Sequence, residues 1–131
     1  MLKTFALACV LAAVTAVPAF ADCDEPIPPA TVNGATINEQ QLTDAGKDVK
    51  NFLKASSDYQ DCLVHDLKMQ EAAAKADKKE LDPSVADGVQ AKIHANQILR
   101  EKVGAEYNVV VHQYCQANPT TKGCDKVNKG P

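Results

Sequence analysis

The chain has 131 residues, 45% of them hydrophobic, 24% charged and 5% aromatic, with no Trp and a formal net charge of −3. That length fits one domain, and so apolar a chain is not wholly disordered. The mild negative charge, the lack of a long basic stripe and the few aromatics argue against nucleic-acid binding, by phosphate contacts or by base stacking.

Residues 1–21 are expected to be a secretory signal peptide that is removed. Lys3 supplies the positive start, Phe5 to Val17 an apolar and small run broken only by Thr15, and Ala19-Phe20-Ala21 a small-x-small cleavage site. The run is shorter than the roughly 20 residues a membrane span needs, so no membrane span is expected. Asp22 stands directly before Cys23, where lipoprotein processing needs a small residue. Cleavage after Ala21 leaves 110 residues with a net charge of −4, and Cys9 leaves with the signal. Cys23, Cys62, Cys115 and Cys124 remain, an even set that in an exported chain predicts two disulfides.

The predicted domain covers residues 22–117 and starts with an extended arm, 22–35. Pro26, Pro28 and Pro29 forbid a regular helix there and favour polyproline II. Asn33-Gly34 marks a turn. Thr36 and Glu39 form a T-x-x-E capping box for the first helix, with Asn38 as the rival cap. Leu42, Ala45, Val49, Phe52, Ser56, Tyr59, Leu63 and Leu67 then recur at steps of three or four, which is one helical face. A break near Ser57, where Ser57 and Gln60 offer a second capping box, would give three helices; the unbroken phase of the stripe favours a continuous or merely bent helix.

Asp82-Pro83 ends one helix and starts the next, with Asp82 as cap and Pro83 in the first turn. Val85, Val89, Ile93, Asn96, Leu99, Val103, Tyr107, Val110 and Tyr114 form the second stripe, and Asn118-Pro119 closes it. Residues 118–131 read as a polar C-terminal tail. The fold class is therefore all-α: a long antiparallel helical hairpin with a Pro-rich N-terminal arm, stapled by disulfides. A two-helix hairpin buries only a ribbon of side chains. The arm, the disulfides or a second copy must cover that ribbon.

Hairpin geometry limits the disulfide pairings. With the turn centred near Leu81-Asp82, Cys62 and Cys115 differ in height by about 15 residues, or about 22 Å. A disulfide needs Cα atoms within about 7 Å, so Cys62–Cys115 is excluded unless a helix breaks, and with it Cys23–Cys124. Of the two surviving sets, Cys23–Cys62 with Cys115–Cys124 is preferred to Cys23–Cys115 with Cys62–Cys124. The arm is long enough to run back to Cys62, since from Cys23 to Asn38 it spans about 45 Å as polyproline II. A bond from Cys115 to Cys124 closes only a short loop around Pro119 and Gly123. The same register sets Asn96 opposite about residue 67 and away from Ser56. A polar residue on a seam without a partner in its own chain suggests pairing with a second hairpin.

Chemistry-bearing motifs are sparse. No C-x-x-C, H-E-x-x-H, G-x-S-x-G, Gly-rich phosphate loop or calcium loop occurs. His94 and His112 point about 160° from the second stripe, and His65 about 200° from Leu63, so all three are expected in solvent. His65-Asp66 with Asp61 is the best candidate for a weak metal site, and Asp58 with Asp61 is read as a solvated face. No catalytic, cofactor or metal residues are assigned, and no cofactor is expected.

Two resemblances bear on this reading. The early Cys, the Pro-rich arm, Gly34-Ala35-Thr36, Val49-Lys50-Asn51-Phe52 and Tyr59-Gln60-Asp61-Cys62-Leu63, followed by Tyr107-Asn108-x-x-Val111 and Tyr114, resemble a group of small exported helical proteins of Gram-negative, alphaproteobacteria-like envelopes. That group has no established activity; the resemblance implies a periplasmic location, no catalytic residues, and Cys23 and Cys62 as partners. Leu42-Thr43-Asp44-Ala45-Gly46 begins like the L-T-x-x-Q repeat of periplasmic helical-hairpin chaperones of the Spy type. Gly46 replaces the Gln and no second copy follows, so that likeness is one of shape. The expected function is a non-enzymatic interaction or structural protein, periplasmic or alternatively secreted, acting through a protein partner or self-association. The alternatives are a chaperone-like binder of exposed apolar segments and a weak metal-binding module.

Overall fold

The computed structural model describes residues 23–128. The expected signal segment, 1–21, and the last residues of the tail lie outside them. Helix α1 runs Glu39–Ala76, α2 runs Pro83–Ala117, and a short α3 runs Cys124–Asn128. The two long helices pack antiparallel as a hairpin, with the arm laid along them and α3 folded against α2.

Asn38 caps α1 in place of the Thr36 box. Its side chain accepts from the Gln41 amide, and the Gln41 side chain accepts from the Asn38 amide at 2.9 Å. Thr36 instead closes the preceding turn, where its amide and its hydroxyl both donate to the Asn33 carbonyl at 3.1 Å. A side chain with a carbonyl oxygen, two residues nearer the helix, wins the capping position. No break occurs near Ser57: its hydroxyl donates to the Leu53 carbonyl at 3.1 Å within an unbroken helix of 38 residues. At about 1.5 Å per residue, α1 is about 57 Å long.

The turn between the helices differs from the expected one. Helix α1 ends in a Schellman motif, with Lys79 N–H donating to the Ala74 carbonyl and Lys78 N–H to that of Lys75. Lys78 holds the left-handed position at φ 55° that glycine usually fills. The chain therefore reverses at Lys78, and 79–82 run back before Asp82 caps α2 by accepting from the Ser84 amide at 2.9 Å. The hairpin register moves with it. Asn96 lies opposite Ser56, and the midpoint of that pair falls at residue 76 rather than at Leu81-Asp82.

Both stripes face the interior. Phe52, Ser56, Tyr59 and Leu63 are buried on α1, and Val89, Asn96, Val103, Val110, Tyr114 and Cys115 on α2. The disulfides are Cys23–Cys62, with Cα atoms 5.8 Å apart, and Cys115–Cys124, at 5.0 Å. The first ties the start of the arm to the middle of α1, where Cys23 packs on Tyr59, Leu63 and Val89. The second folds part of the polar tail back, so that buried Cys124 and partly buried Val127 join Tyr114, Ile37 and Leu42. Among the described residues, no helix is long and apolar enough to cross a membrane.

Candidate functional site

The arm does not lie flat on the hairpin. It is pinned at one end by Cys23–Cys62 and at the other by Gly34, whose amide donates to Gln113 Oε1 at 3.0 Å. Gly34 is buried hard against α2: a Cβ there would stand 2.0 Å from the Val110 carbonyl oxygen. Only glycine lets the arm approach so closely. Between the pins the polyproline stretch has few partners of its own. Thr31 makes one, its hydroxyl donating to Glu106 at 3.2 Å.

Under this bridge lies a cleft of about 300 Å³ walled by three segments. Pro29 to Val32 of the arm form one wall, Ala45 and Val49 of α1 the second, and Val103, Tyr107 and Val110 of α2 the third. The helical wall residues come straight from the two stripes, at the height where the Tyr107 ring meets Gly46. Gly46 makes room for that ring, since a Cβ there would meet the Tyr107 hydroxyl at 2.5 Å. A glycine inside a helix costs about 1 kcal/mol relative to alanine, and here its gain is the seat of an aromatic ring. Gly46 stands out in the sequence only as the residue that breaks the chaperone-like repeat.

Three carboxylates line the cleft, from Asp44, Asp48 and Glu106, and no lysine, arginine or histidine does. Asp44 accepts from Gln40 at 3.0 Å and pairs with Lys47 at 3.0 Å. The Gln40 amide and then the Lys47 ammonium hold its carboxyl below the usual aspartate range. Glu106 has Lys102 at 3.8 Å. Both ion pairs join neighbours on one helix and are solvent-exposed, so each adds little stability. Asp48 has no hydrogen bond or ion pair with any described residue. It also borders a second hollow beneath Pro26, Ile27 and Pro29. Sequence reasoning assigned no role to this trio, because Asp44 and Asp48 look like any solvated helix face and Glu106 lies about 60 positions away.

The other candidates of the sequence fall elsewhere. His65, His94 and His112 are all exposed. Asp66 accepts from Gln70 at 2.7 Å. Among the described residues no group of three or more His, Cys, Asp or Glu is placed to hold a metal ion. Tyr59 is buried beside the arm, and burial, then the nearby Glu25 charge, pushes its phenol above the usual value.

Asn96 corrects the expectation of a seam residue without a partner in its chain. Its side-chain amide donates to the Ser56 carbonyl at 3.0 Å, and both residues are inside, Asn96 at 4% exposure and Ser56 at 0%. The shifted turn supplies the partner that the expected register lacked. The Ser56 hydroxyl and Asn96 Oδ1 have no hydrogen-bond partner among the described residues. Nearby, Arg100 donates to the Ser57 hydroxyl at 3.1 Å. This polar layer thus locks the two helices of one chain, and Asn96 gives no ground for pairing with a second hairpin.

Compared with family models, curated proteins and solved structures, the chain matches none of them.

Proposed function

We propose that this is an exported, non-enzymatic interaction protein of the periplasm, or alternatively a secreted one, and that the cleft beneath the arm is its interaction site. The observation that carries the reading is the cleft itself: a chain this short spends a glycine at Gly34, a glycine at Gly46 and a disulfide at Cys62 on holding an extended arm over an open, largely apolar hollow. Pockets of this kind, with a few placed polar groups, are the usual form of a binding site. Export is supported by the N-terminal signal pattern and by the use of Cys23, Cys62, Cys115 and Cys124 as two disulfides, which persist in oxidising compartments.

The test has two parts. Mass spectrometry of the protein from its native envelope fraction is expected to find an N-terminus at Asp22 and no free thiol. Capture from the same fraction is expected to retain a defined partner on the wild type and lose it on Ala45→Phe, which fills the cleft. A cytoplasmic, uncleaved protein defeats the export reading, and equal capture by a folded Ala45→Phe defeats the site.

A second reading, a chaperone-like binder of exposed apolar segments, is favoured by one feature. Ile98 and Val109 are more than half exposed, at 53% and 55%. Helical phase places them on one face of α2 with exposed Ala91, Ala95 and Ala105. Suppression of aggregation of a denatured client, abolished by Ile98→Lys with Val109→Lys, would support that reading over the cleft.

A further inference from the structure

The charges around the cleft define what it accepts. Its floor is apolar, built from Val49, Val103 and Val110, and its charged lining is wholly anionic. Asp44 and Glu106 each have a lysine neighbour and a further hydrogen bond, whereas Asp48 has neither with any described residue. The Tyr107 phenol, also without a hydrogen-bond partner among the described residues, presents an aromatic ring to the same space.

We infer that the cleft binds a small amphiphilic organic cation, an alkyl- or arylalkylammonium, with its charged head on the Asp48 carboxylate and its apolar body over Val49, Val103 and Val110. This rests on the cleft being the interaction site. An anionic ligand would face three carboxylates and no cation. Asp48 is exposed, and a neutral apolar ligand gains nothing from its carboxylate. An ammonium head gains a charge-assisted hydrogen bond there, next to the aromatic ring of Tyr107 in the lining. The cleft's volume, about 300 Å³, lies at the lower end for small-molecule sites.

The experiment titrates disulfide-intact protein with 2-phenylethylammonium, 2-phenylethanol and 3-phenylpropionate, following backbone amide shifts and tyrosine fluorescence. The ammonium is expected to bind at least tenfold more tightly than the alcohol, with shifts centred on Val49, Val103 and Tyr107, and the propionate not to bind. Asp48→Asn is expected to bring the ammonium down to the alcohol's affinity. Asp58→Asn, an exposed aspartate paired with Lys54 and away from the cleft, is expected to leave it unchanged. Unaltered melting of each variant shows that it is folded. Equal affinity for ammonium and alcohol, or no effect of Asp48→Asn, overturns the inference. So does a failure of all three probes, and the proposed function then meets a separate test. If an amphipathic lysine-leucine peptide shifts the same amides, or Ala45→Phe still abolishes partner capture, the interaction site stands with a protein as its occupant. If neither happens, both readings fail.

Discussion

From Glu39 to Leu63, helix α1 has α2 on one side and the arm on another, and it buries Phe52, Ser56, Tyr59 and Leu63. From Val64 to Ala76 it has no fully buried residue and only Leu67 packs on the core cluster, although Val64, Leu67 and Met69 are as apolar as the residues before them. Helix α2 shows the same contrast in reverse order: Val89 alone is buried before Asn96, and Val103, Val110, Tyr114 and Cys115 after it. The difference is not in the stripes. It is in the third element, the arm from Cys23 to Ile37 together with the folded-back tail at Cys124. A helical stripe is half of a burial event, and a pair of helices still leaves both flanks of the seam in water. The end with a third segment has an interior and a cleft; the end with the inter-helix turn is a two-helix ribbon.

If the third segment makes the core, truncations at the two ends will differ sharply. Phe52→Ala is expected to cost about 3–5 kcal/mol, as for a buried aromatic, and Leu67→Ala under about 2, since Leu67 is only partly covered. Denaturant unfolding measures both, and equal losses would mean that the two ends are one cooperative core. The staples sharpen the same point. Replacing Cys23 and Cys62 together by Ser is expected to cost about 4 kcal/mol on the chain-entropy scale, and replacing Cys115 and Cys124 about 2.7, because the first loop is longer. The sequence separations are 39 and 9 residues. The first pair should also raise amide exchange around Phe52 and Tyr59, which the arm protects, while leaving α2 near Val85 unchanged.

At the turn end the expected change is a gain. Lys78 holds a left-handed conformation that costs a side-chain-bearing residue about 1 kcal/mol or more. Lys78→Gly is therefore expected to raise stability by about 1 kcal/mol, read from the unfolding midpoint. In the covered half, Ser56→Ala removes a buried hydroxyl without a partner among the described residues and adds helix propensity, for an expected gain of about 0.5 kcal/mol. A loss would mean that the hydroxyl is satisfied in solution. The smallest effect is a pH dependence. The Ser84 amide, hydrogen-bonded to the Asp82 carboxylate, and then the Ser84 side chain hold that carboxyl below its ordinary value. The cap's stabilisation is thus present above the unfolded aspartate value and is lost as pH falls through the lower folded value, below about pH 4. Asp82→Asn keeps a capping side chain and is expected to remove that part of the acid sensitivity.

Much of this was legible in the chain. The step of three and four residues from Leu42 to Leu67 and from Val85 to Tyr114 determined two long helices and their inward faces, because helical phase depends only on neighbours along the chain. Asp82-Pro83 determined the start of α2 for the same reason. The cysteine spacing, with the reach of an extended arm, was enough to prefer Cys23–Cys62 and Cys115–Cys124. The tertiary structure decided the register. The reversal sits on Lys78, a residue with no intrinsic turn signal, and a shift of a few residues there moved Asn96 onto Ser56. It also decided the cleft. Asp44, Asp48, Tyr107 and Glu106 share no local pattern, and only the arm, drawn across the helices by Cys62 and the bare backbone of Gly34, brings them to one surface. Local periodicity is encoded residue by residue, whereas a site between three segments exists only once their relative heights are set.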